Sequence, residues 1–361
     1  MAHVRRTCRR PDVAFKDPEG AHRKAGIPVV GALWRDQEID GDDIAGMIFK
    51  DCTLERVRLV RTSLWQTLFV NTRFEDCVFE DCRLFRTQWI ECSGSGFRIV
   101  EGEFAEAMFA KCSLREVAVE RAGDRITFAD CRLGRLAFNG DGCKQHGLTV
   151  SECTFDAVAA ENVSWRSATA VALDFGPWTL TNAVFERGMF VQAQAPGLDF
   201  SSVRFEQCNL VKGNYRQTKF RHAPRTILAE TDCAGADFVG AELTGALFAK
   251  AHAPGARFLG ATLNNAMFPE ADLVEADFSG AKARLSVWIG ADLTDANFER
   301  VDAYRSSFRN CTLARTRMDG ARLVEADLHG VEQSLDGADL TGSRKTTGWR
   351  AEREAEARRP E

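Results

Sequence analysis

A five-residue repeat constrains this sequence more than any other feature. The stretch GADFVGAELTGALF, residues 235–248, places a small residue every five positions and a large apolar residue two positions after each. The small residues are Ala236, Ala241 and Ala246, and the large ones are Phe238, Leu243 and Phe248. An α-helix repeats its apolar positions about every 3.6 residues and a strand about every 2, so neither element alone explains the pattern.

The repeat continues through most of the chain. We call the large apolar residue of each repeat the centre position, and the residue two before it the small position. Centres follow every five residues from Trp34 to Val119, with a lapse at Gly94, and the phase then changes. They resume over 128–148, 155–220 and 228–328. In the last run all 21 small positions hold a small residue, and 14 of these are alanine.

Glycine marks where the chain turns. All nine glycines between residues 228 and 333 come two positions after a centre. Because glycine reaches backbone conformations that other residues avoid, this spacing predicts a corner every five residues. Four such sides would close into a square coil of about twenty residues, stacked at the strand spacing of about 4.8 Å. Like side chains recur at that interval, as in the column Phe238, Phe258, Phe278 and Phe298.

The segments EADLVEADFSGAKA (270–283) and GADLTDANFERVDA (290–303) resemble the A(D/N)Lxx motif of the pentapeptide-repeat proteins. The resemblance implies an all-β fold, a right-handed quadrilateral β-helix (solenoid) of about fourteen coils over 29–342. We expect loops or bulged corners near 120–127, 149–154 and 221–227. Residues 1–28 are expected to form an N-terminal cap or tail, and residues 343–361 a charged C-terminal tail, either helical or disordered.

Composition favours a soluble repeat protein. No uninterrupted apolar run is long enough to cross a bilayer, and the basic N-terminus lacks the apolar region of a signal peptide, so we expect a cytoplasmic protein. Nine of the twelve cysteines occupy small positions, which predicts buried, reduced thiols, including the stacked pair Cys92 and Cys112. The nine are Cys52, Cys77, Cys82, Cys92, Cys112, Cys131, Cys153, Cys208 and Cys311.

The sequence holds no recognised motif for catalysis or for cofactor binding. The six histidines are scattered, and HExxH, CxxC, Walker and GxSxG motifs are all absent. We therefore predict a protein that is not an enzyme, with no catalytic residues, no metal site and no cofactor. We also expect it to bind neither nucleic acid nor a membrane directly.

An apolar stripe on the outside of the coils is the candidate binding site. The residue before each centre points outward, and on three faces of the last run it is mostly polar. The fourth face of that run and a face of the first run are apolar instead, and patches of this extent mark interaction sites. Whether the two stripes share a face depends on the number of sides at each break. The candidate protein-binding residues are Ile227, Leu247, Met267, Val287 and Ile289 in the last run, and Ile48, Leu68, Val70, Ile90 and Met108 in the first.

Two interpretations of the stripe stay open at this point. Either it binds a protein, as a homodimer contact or a site for another polypeptide, or the chain's own terminal segments and break loops cover it. The family resemblance adds a role, because other members serve as effectors or accessory proteins of secretion systems. We therefore expect a non-catalytic protein-binding scaffold whose partner the sequence does not identify.

The resemblance also implies a rival function. Some pentapeptide-repeat proteins resemble B-form DNA and protect type II topoisomerases such as DNA gyrase from quinolones and other poisons. Residues 225–342 have a net charge of −7, which suits mimicry of a phosphate backbone. Arginines such as Arg257, Arg284 and Arg305 interrupt the acidic columns, so DNA mimicry is the alternative prediction.

Overall fold

The structure is a computed structural model that describes residues 27–120, 124–139, 144–331, 333 and 335–344. These residues form two compact units. The first unit contains the described residues up to 139 together with 153–158, and the second contains 144–152 together with 159–344. The regular elements assigned in both are β-strands.

The strands are short and follow one another at nearly constant spacing. In the first unit they are Val29–Val30 (β1), Leu33–Arg35 (β2), Glu38–Asp40 (β3), Ile48–Lys50 (β4), Thr53–Glu55 (β5), Arg58–Val60 (β6), Leu68–Val70 (β7), Arg73–Glu75 (β8), Val78–Glu80 (β9), Gln88–Ile90 (β10), Ser93–Ser95 (β11), Phe97–Val100 (β12), Met108–Ala110 (β13), Ser113–Glu120 (β14), Ile126–Ala129 (β15) and Arg132–Asn139 (β16). The remaining strands are Lys144–His146 (β17), Leu148–Ser151 (β18), Thr154–Glu161 (β19), Ser164–Arg166 (β20), Thr169–Val171 (β21), Trp178–Thr181 (β22), Val184–Glu186 (β23), Met189–Val191 (β24), Asp199–Glu206 (β25) and Lys219–His222 (β26). Beyond β26 each side of the coil is reduced to a single bridge and a turn.

One repeat of the second unit shows how five residues form one side of the coil. Ala241 and Leu243 point inward and are fully buried, whereas Glu242 between them points outward. The amide of Ala246 donates to the carbonyl of Leu243 at 3.0 Å, which closes a turn in which Gly245 has a φ of +69°. This is a type II turn, which needs positive φ at its third residue. All nine corner glycines predicted from the sequence have positive φ.

Successive coils pair in parallel at a spacing of twenty residues. In the first unit Trp34 pairs with Leu54, and Leu54 pairs with Phe74. The strand order on one face of that unit is β1-β4-β7-β10-β13-β15, and in the second unit one face has the order β17-β20-β23-β25-β26. The predicted quadrilateral β-helix is therefore confirmed.

Aromatic rings at the centre positions stack along the interior. The ring of Phe268 lies 4.9 Å from that of Phe248 and 4.3 Å from that of Trp288, with interplanar angles of 8° and 2°. The buried indole N–H of Trp288 donates to the hydroxyl of Ser286 at 2.7 Å. Serine at this small position satisfies a polar atom that would otherwise be costly to bury.

Cysteines at small positions behave as small buried residues, as the sequence predicts. Eight of the nine are buried, Cys153 is half-buried, and all nine are reduced thiols. The thiol of Cys77 donates to the carbonyl of Leu54 in the coil below at 3.4 Å, and the hydroxyl of Thr67 donates in the same way to Ile44 at 3.0 Å. Cysteine and threonine thus fill the same position with the same contact.

Two of the three expected breaks coincide with changes in coil length. Near 120–127, Phe109 pairs with Phe128, so this coil is one residue shorter than the usual twenty. Near 221–227 the pairing of β25 with β26 shifts register, and Asn209 then bridges to Ile227, which shortens the coil by two residues.

The third expected break, at 149–154, is placed wrongly. Residues 148–151 form β18, in which Val150 is buried and pairs with Ala170. Val150 precedes Phe155 by five residues, so the step of five already holds there. Leu148 is buried too. The sequence analysis took Leu148 as the centre of this repeat in place of Val150, which is why a break was predicted after it.

A further shortening, which the sequence analysis missed, lies near the end of the second unit. Arg322 bridges to Asp339 and Asp327 to Arg344, both seventeen residues on. The coil count differs slightly from the expected fourteen. Pairing continues to Arg344, whereas the predicted tail beyond it and the predicted cap before residue 27 lie outside the described residues.

Candidate protein-binding face

One face of the second unit carries no charged side chain over six successive coils. We call it the apolar face. It consists of the residue before and the residue after each of the six centres from Phe190 to Trp288. Backbone pairing aligns these residues in two columns. One column is Met189, Asn209, Ile227, Leu247, Met267 and Val287, and the other is Val191, Val211, Ala229, Ala249, Pro269 and Ile289.

None of the twelve side chains of the apolar face is buried. Met189, Met267 and Ile289 are 44%, 38% and 41% exposed, and the others are half-buried. Asn209 is the one polar member, and its Oδ1 accepts a hydrogen bond from the amide of Val211 at 3.3 Å. The face therefore offers water an apolar surface with a single polar side chain, Asn209.

The five residues predicted in the last run all lie on this face. Ile227, Leu247, Met267 and Val287 are consecutive members of one column, and Ile289 belongs to the other. The face extends beyond them to Met189 and continues one coil further, where Val171 is 55% exposed.

Sequence reasoning missed the members of the face that precede residue 227. The coil across 221–227 is two residues short, so Asn209 and Ile227 are eighteen apart and a search at twenty does not join them. Valine at 171, 191 and 211, which does repeat at twenty, was a signal that could have revealed the extension.

The five residues predicted in the first run form a smaller stripe in the first unit. Ile48, Leu68 and Met108 share one column with Gln88, and Val70 and Ile90 share the other with Lys50. All five are half-buried. Because a lysine and a glutamine interrupt it, this stripe is a weaker candidate than the apolar face.

A rim of alternating charge borders the apolar face. Four consecutive corner residues on one side are Lys212, Glu230, Lys250 and Glu270, all with positive φ. The Lys212 ammonium lies 3.6 Å from the Glu230 carboxylate, and the same distance separates Lys250 from Glu270. The corners on the opposite side are Arg187, Gln207, Arg225, Gly245, Asn265 and Leu285.

Two other faces of the second unit carry charges of mixed sign. One outward column reads Asp237, Arg257, Asp277, Asn297 and Arg317, and another reads Glu242, Thr262, Lys282, Asp302 and Arg322. Arg315 donates to Asp295 at 2.6 Å, and this hydrogen bond holds the pKa of that carboxyl below its usual value. Paired charges of this kind are typical of a solvated surface.

The aspartates of the A(D/N)Lxx motif have a structural role. Oδ1 of Asp277 accepts from the amide of Ser279 at 3.0 Å, and Oδ1 of Asp292 accepts from the amide of Thr294 at 3.0 Å. An aspartate that bonds the backbone two residues on stabilises the turn it precedes. The recurrence of Asp before the centre therefore follows from folding, without any requirement for binding.

Within the described residues, no cluster of three or more His, Cys, Asp or Glu side chains is arranged to hold a metal ion. No helix in that part of the chain has the length and apolarity needed to cross a bilayer. The apolar face is thus the surface feature that most needs an explanation.

Comparison with known proteins agrees with the fold. The family model described as Pentapeptide repeats matches this chain in eight copies. The matched segments include residues 225–252, 241–280, 271–310, 291–330 and 304–344. Residues 225–344 therefore contain pentapeptide repeats, which make up about a third of the chain. A search of curated proteins returned no match.

Solved structures similar to this chain include other repeat proteins. QnrB1, a plasmid-mediated fluoroquinolone resistance protein, is 21% identical, with 54% of this chain and 98% of that chain covered and a TM-score of 0.29. HetL, a pentapeptide-repeat protein involved in heterocyst differentiation regulation in Nostoc sp. strain PCC 7120, is 16% identical, with coverage of 88% and 95% and a TM-score of 0.18. A mannuronic acid specific polysaccharide family 6 lyase from human gut microbiota is 10% identical, with coverage of 90% and 94% and a TM-score of 0.19.

Proposed function

We propose that this protein is a non-catalytic scaffold that binds a polypeptide through the apolar face. The observation that carries the proposal is the lack of any charge on this face over six coils, from Met189 to Ile289. Monomeric proteins rarely leave a contiguous apolar surface of this extent in water, and larger patches mark binding sites.

The contrast with the other faces supports the proposal. The columns through Asp237 and Glu242 carry charges of both signs over the same coils. A face without selection for binding would be expected to resemble them, because the outward residues of every face lie outside the buried interior. Substitution of outward residues costs little in stability, so apolar residues here need a separate reason.

A differential capture experiment tests the proposal. The variant Leu247→Asp/Met267→Asp places two carboxylates at the middle of the apolar face. The matched control is Val239→Asp/Leu259→Asp, which changes two stacked outward residues on a different side of the coil. Wild type and both variants, each verified as folded by its thermal midpoint, would be used as bait in lysate from the source cells.

The proposal predicts polypeptides that wild type and the control capture and that the face variant loses. Capture that is the same for all three baits would overturn it. The second copy of this chain counts as a captured polypeptide, so untagged chain must be present in the lysate.

A second candidate is DNA mimicry directed at a type II topoisomerase such as DNA gyrase, which the net charge of −7 over 225–342 favours. Duplex DNA presents a negative charge at every step of its backbone. Here Arg257 lies between Asp237 and Asp277 in the same column, so the sign alternates. We expect no inhibition of gyrase supercoiling, and no protection from a quinolone, at micromolar protein; protection would instead support mimicry.

A further inference from the structure

We propose that the partner of the apolar face is a second copy of this chain, packed face to face with its coils running in the opposite direction. This inference rests on the proposed function and names the partner. The charges on the rim and the apolar character of the whole face support this arrangement.

The apolar face divides into two equal halves of three coils each. Its six coils have centres at Phe190, Leu210, Leu228, Phe248, Phe268 and Trp288. A two-fold axis that lies in the interface between the coils of Leu228 and Phe248 would exchange the upper three coils with the lower three. Such an isologous contact is the commonest form of homodimer.

The two-fold axis brings apolar side chains against each other. Ile227 meets Leu247 of the second copy, and Met189 meets Val287. In the other column Val191 meets Ile289, and Ala229 meets Ala249. Asn209 meets Met267, and its Oδ1 already accepts the Val211 amide, so this polar acceptor does not lose its partner on burial.

The alternating rim becomes complementary in the same arrangement. Rotation about this axis places Lys212 opposite Glu270 of the second copy, and Glu230 opposite Lys250. Each pair occurs twice, and no pair brings like charges together. On the opposite rim Arg225 meets Gly245, and Gln207 meets Asn265.

A parallel arrangement of the two copies satisfies the charges less well. With the axis along the coil stack, each rim meets the opposite rim at the same level. Glu230 would then meet Arg225, but Lys250 would meet Gly245 and Glu270 would meet Asn265. The antiparallel arrangement therefore pairs all four charged residues of the Lys212–Glu270 rim and leaves Arg187 and Arg225 of the opposite rim beside Leu285 and Gly245. The parallel arrangement forms one pair of opposite charges, Glu230 with Arg225.

The size of the face indicates a weak dimer. Six coils at about 4.8 Å give a height of roughly 29 Å, and the width between the rims is roughly 13 Å. The projected area is on the order of 400 Å² per copy, about half of the roughly 800 Å² per partner of a standard complex and in the range of weak, transient contacts. We therefore expect dissociation in the micromolar range, so that the mass depends on concentration.

Sedimentation equilibrium of the purified full chain tests the inference. At increasing concentration the mass of wild type should rise from the 40.0 kDa of one chain towards twice that value. Leu247→Asp/Met267→Asp should stay monomeric, and Val239→Asp/Leu259→Asp should match wild type. Glu230→Lys should weaken the dimer by about tenfold, because two like-charge contacts replace two attractive ones.

The double exchange Glu230→Lys/Lys250→Glu separates the two arrangements. In the antiparallel dimer it restores both pairs and should return the dissociation constant to within about threefold of wild type. In the parallel dimer it leaves the introduced ammonium opposite Arg225 and restores nothing. Failure of this rescue would overturn the antiparallel arrangement. A dimer that the face variant does not weaken would overturn the inference as well.

Failure of the dimer inference can be distinguished from failure of the proposed scaffold function. A chain that remains monomeric at every concentration overturns the second copy as partner, while face-dependent capture of a different polypeptide would still support the scaffold function. Loss of both results would overturn both proposals.

Discussion

The ring of Phe238 stacks nearly parallel to that of Phe258 in the next coil, with centroids 4.7 Å apart and an interplanar angle of 6°. Both side chains are fully buried. The two residues are twenty apart, so their contact ties the period of the sequence to one turn of the coil. It also explains why aromatic centres recur in columns, because offset-stacked rings are favourable neighbours.

The first prediction concerns this aromatic column. Phe258→Ala should lower the free energy of unfolding by about 3–5 kcal/mol, because it leaves a cavity between Phe238 and Phe278. Leu259→Ala is the control, since the neighbouring side chain is 41% exposed and its loss should cost less than about 0.5 kcal/mol. Urea unfolding followed by circular dichroism measures both, and equal costs would contradict the assignment of inward and outward positions.

The interior of the coil could be predicted because every repeat reports on it. Leu243 and Ala241 are buried for the same reason as their equivalents in every other coil, so errors at one repeat do not spread. The corner at Gly245 could be predicted as well, because a residue with positive φ is often glycine and glycine is recognisable in the sequence.

Coil length was harder to predict, because it depends on residues that lack a periodic neighbour. The shortening near 221–227 removes two residues, and nothing in the step of five shows on which side of a coil they are lost. Val150 and Leu148 are both buried in β18, so apolarity alone does not say which of them is the centre. The full extent of the apolar face was not predicted for the same reason, because Asn209 and Ile227 pair although they are eighteen residues apart instead of twenty.

The second prediction concerns cysteine reactivity. Burial raises the pKa of the Cys208, Cys233 and Cys311 thiols to about 12, so at pH 8 they are almost entirely protonated. Nine thiols in the described residues are buried. In the native protein we expect no more than three of the twelve cysteines to react rapidly with a disulfide reagent such as Ellman's reagent.

All twelve should react once guanidinium unfolds the chain, which gives the internal control. Rapid reaction of more than three thiols in the folded protein would show that small positions are accessible, against the burial described above.

The third prediction concerns a corner that holds leucine where glycine is favoured. Leu285 has a φ of +58° and is 51% exposed. A left-handed conformation costs an L-residue roughly 1–2 kcal/mol relative to glycine, so Leu285→Gly should raise the free energy of unfolding by about 1 kcal/mol.

Leu259→Gly is the matched control for that corner. Leu259 is similarly exposed, at 41%, and its φ is not positive. Glycine there should lower stability by about 0.5–1 kcal/mol through its greater freedom in the unfolded chain. Urea midpoints that move in the same direction for both variants would contradict the role assigned to the corner.

The last prediction concerns acid stability. Ser201 donates from its hydroxyl and its amide to Asp199, and Lys219 lies 3.2 Å away, so the pKa of Asp199 is lowered to about 2. The unfolded value for aspartate is about 3.9. Since the folded pKa is the lower one, the charged carboxylate stabilises the fold above about pH 4, and this contribution is lost as the pH falls towards 2. Wild type should therefore exceed Asp199→Asn in thermal midpoint at pH 6, and the difference should shrink at pH 2. Ser201→Ala removes the largest cause of the shift, so the thermal midpoint of this variant should depend less on pH between pH 4 and pH 2 than that of wild type. If the difference in thermal midpoint between wild type and Asp199→Asn did not change with pH, the charge of Asp199 would contribute nothing to stability.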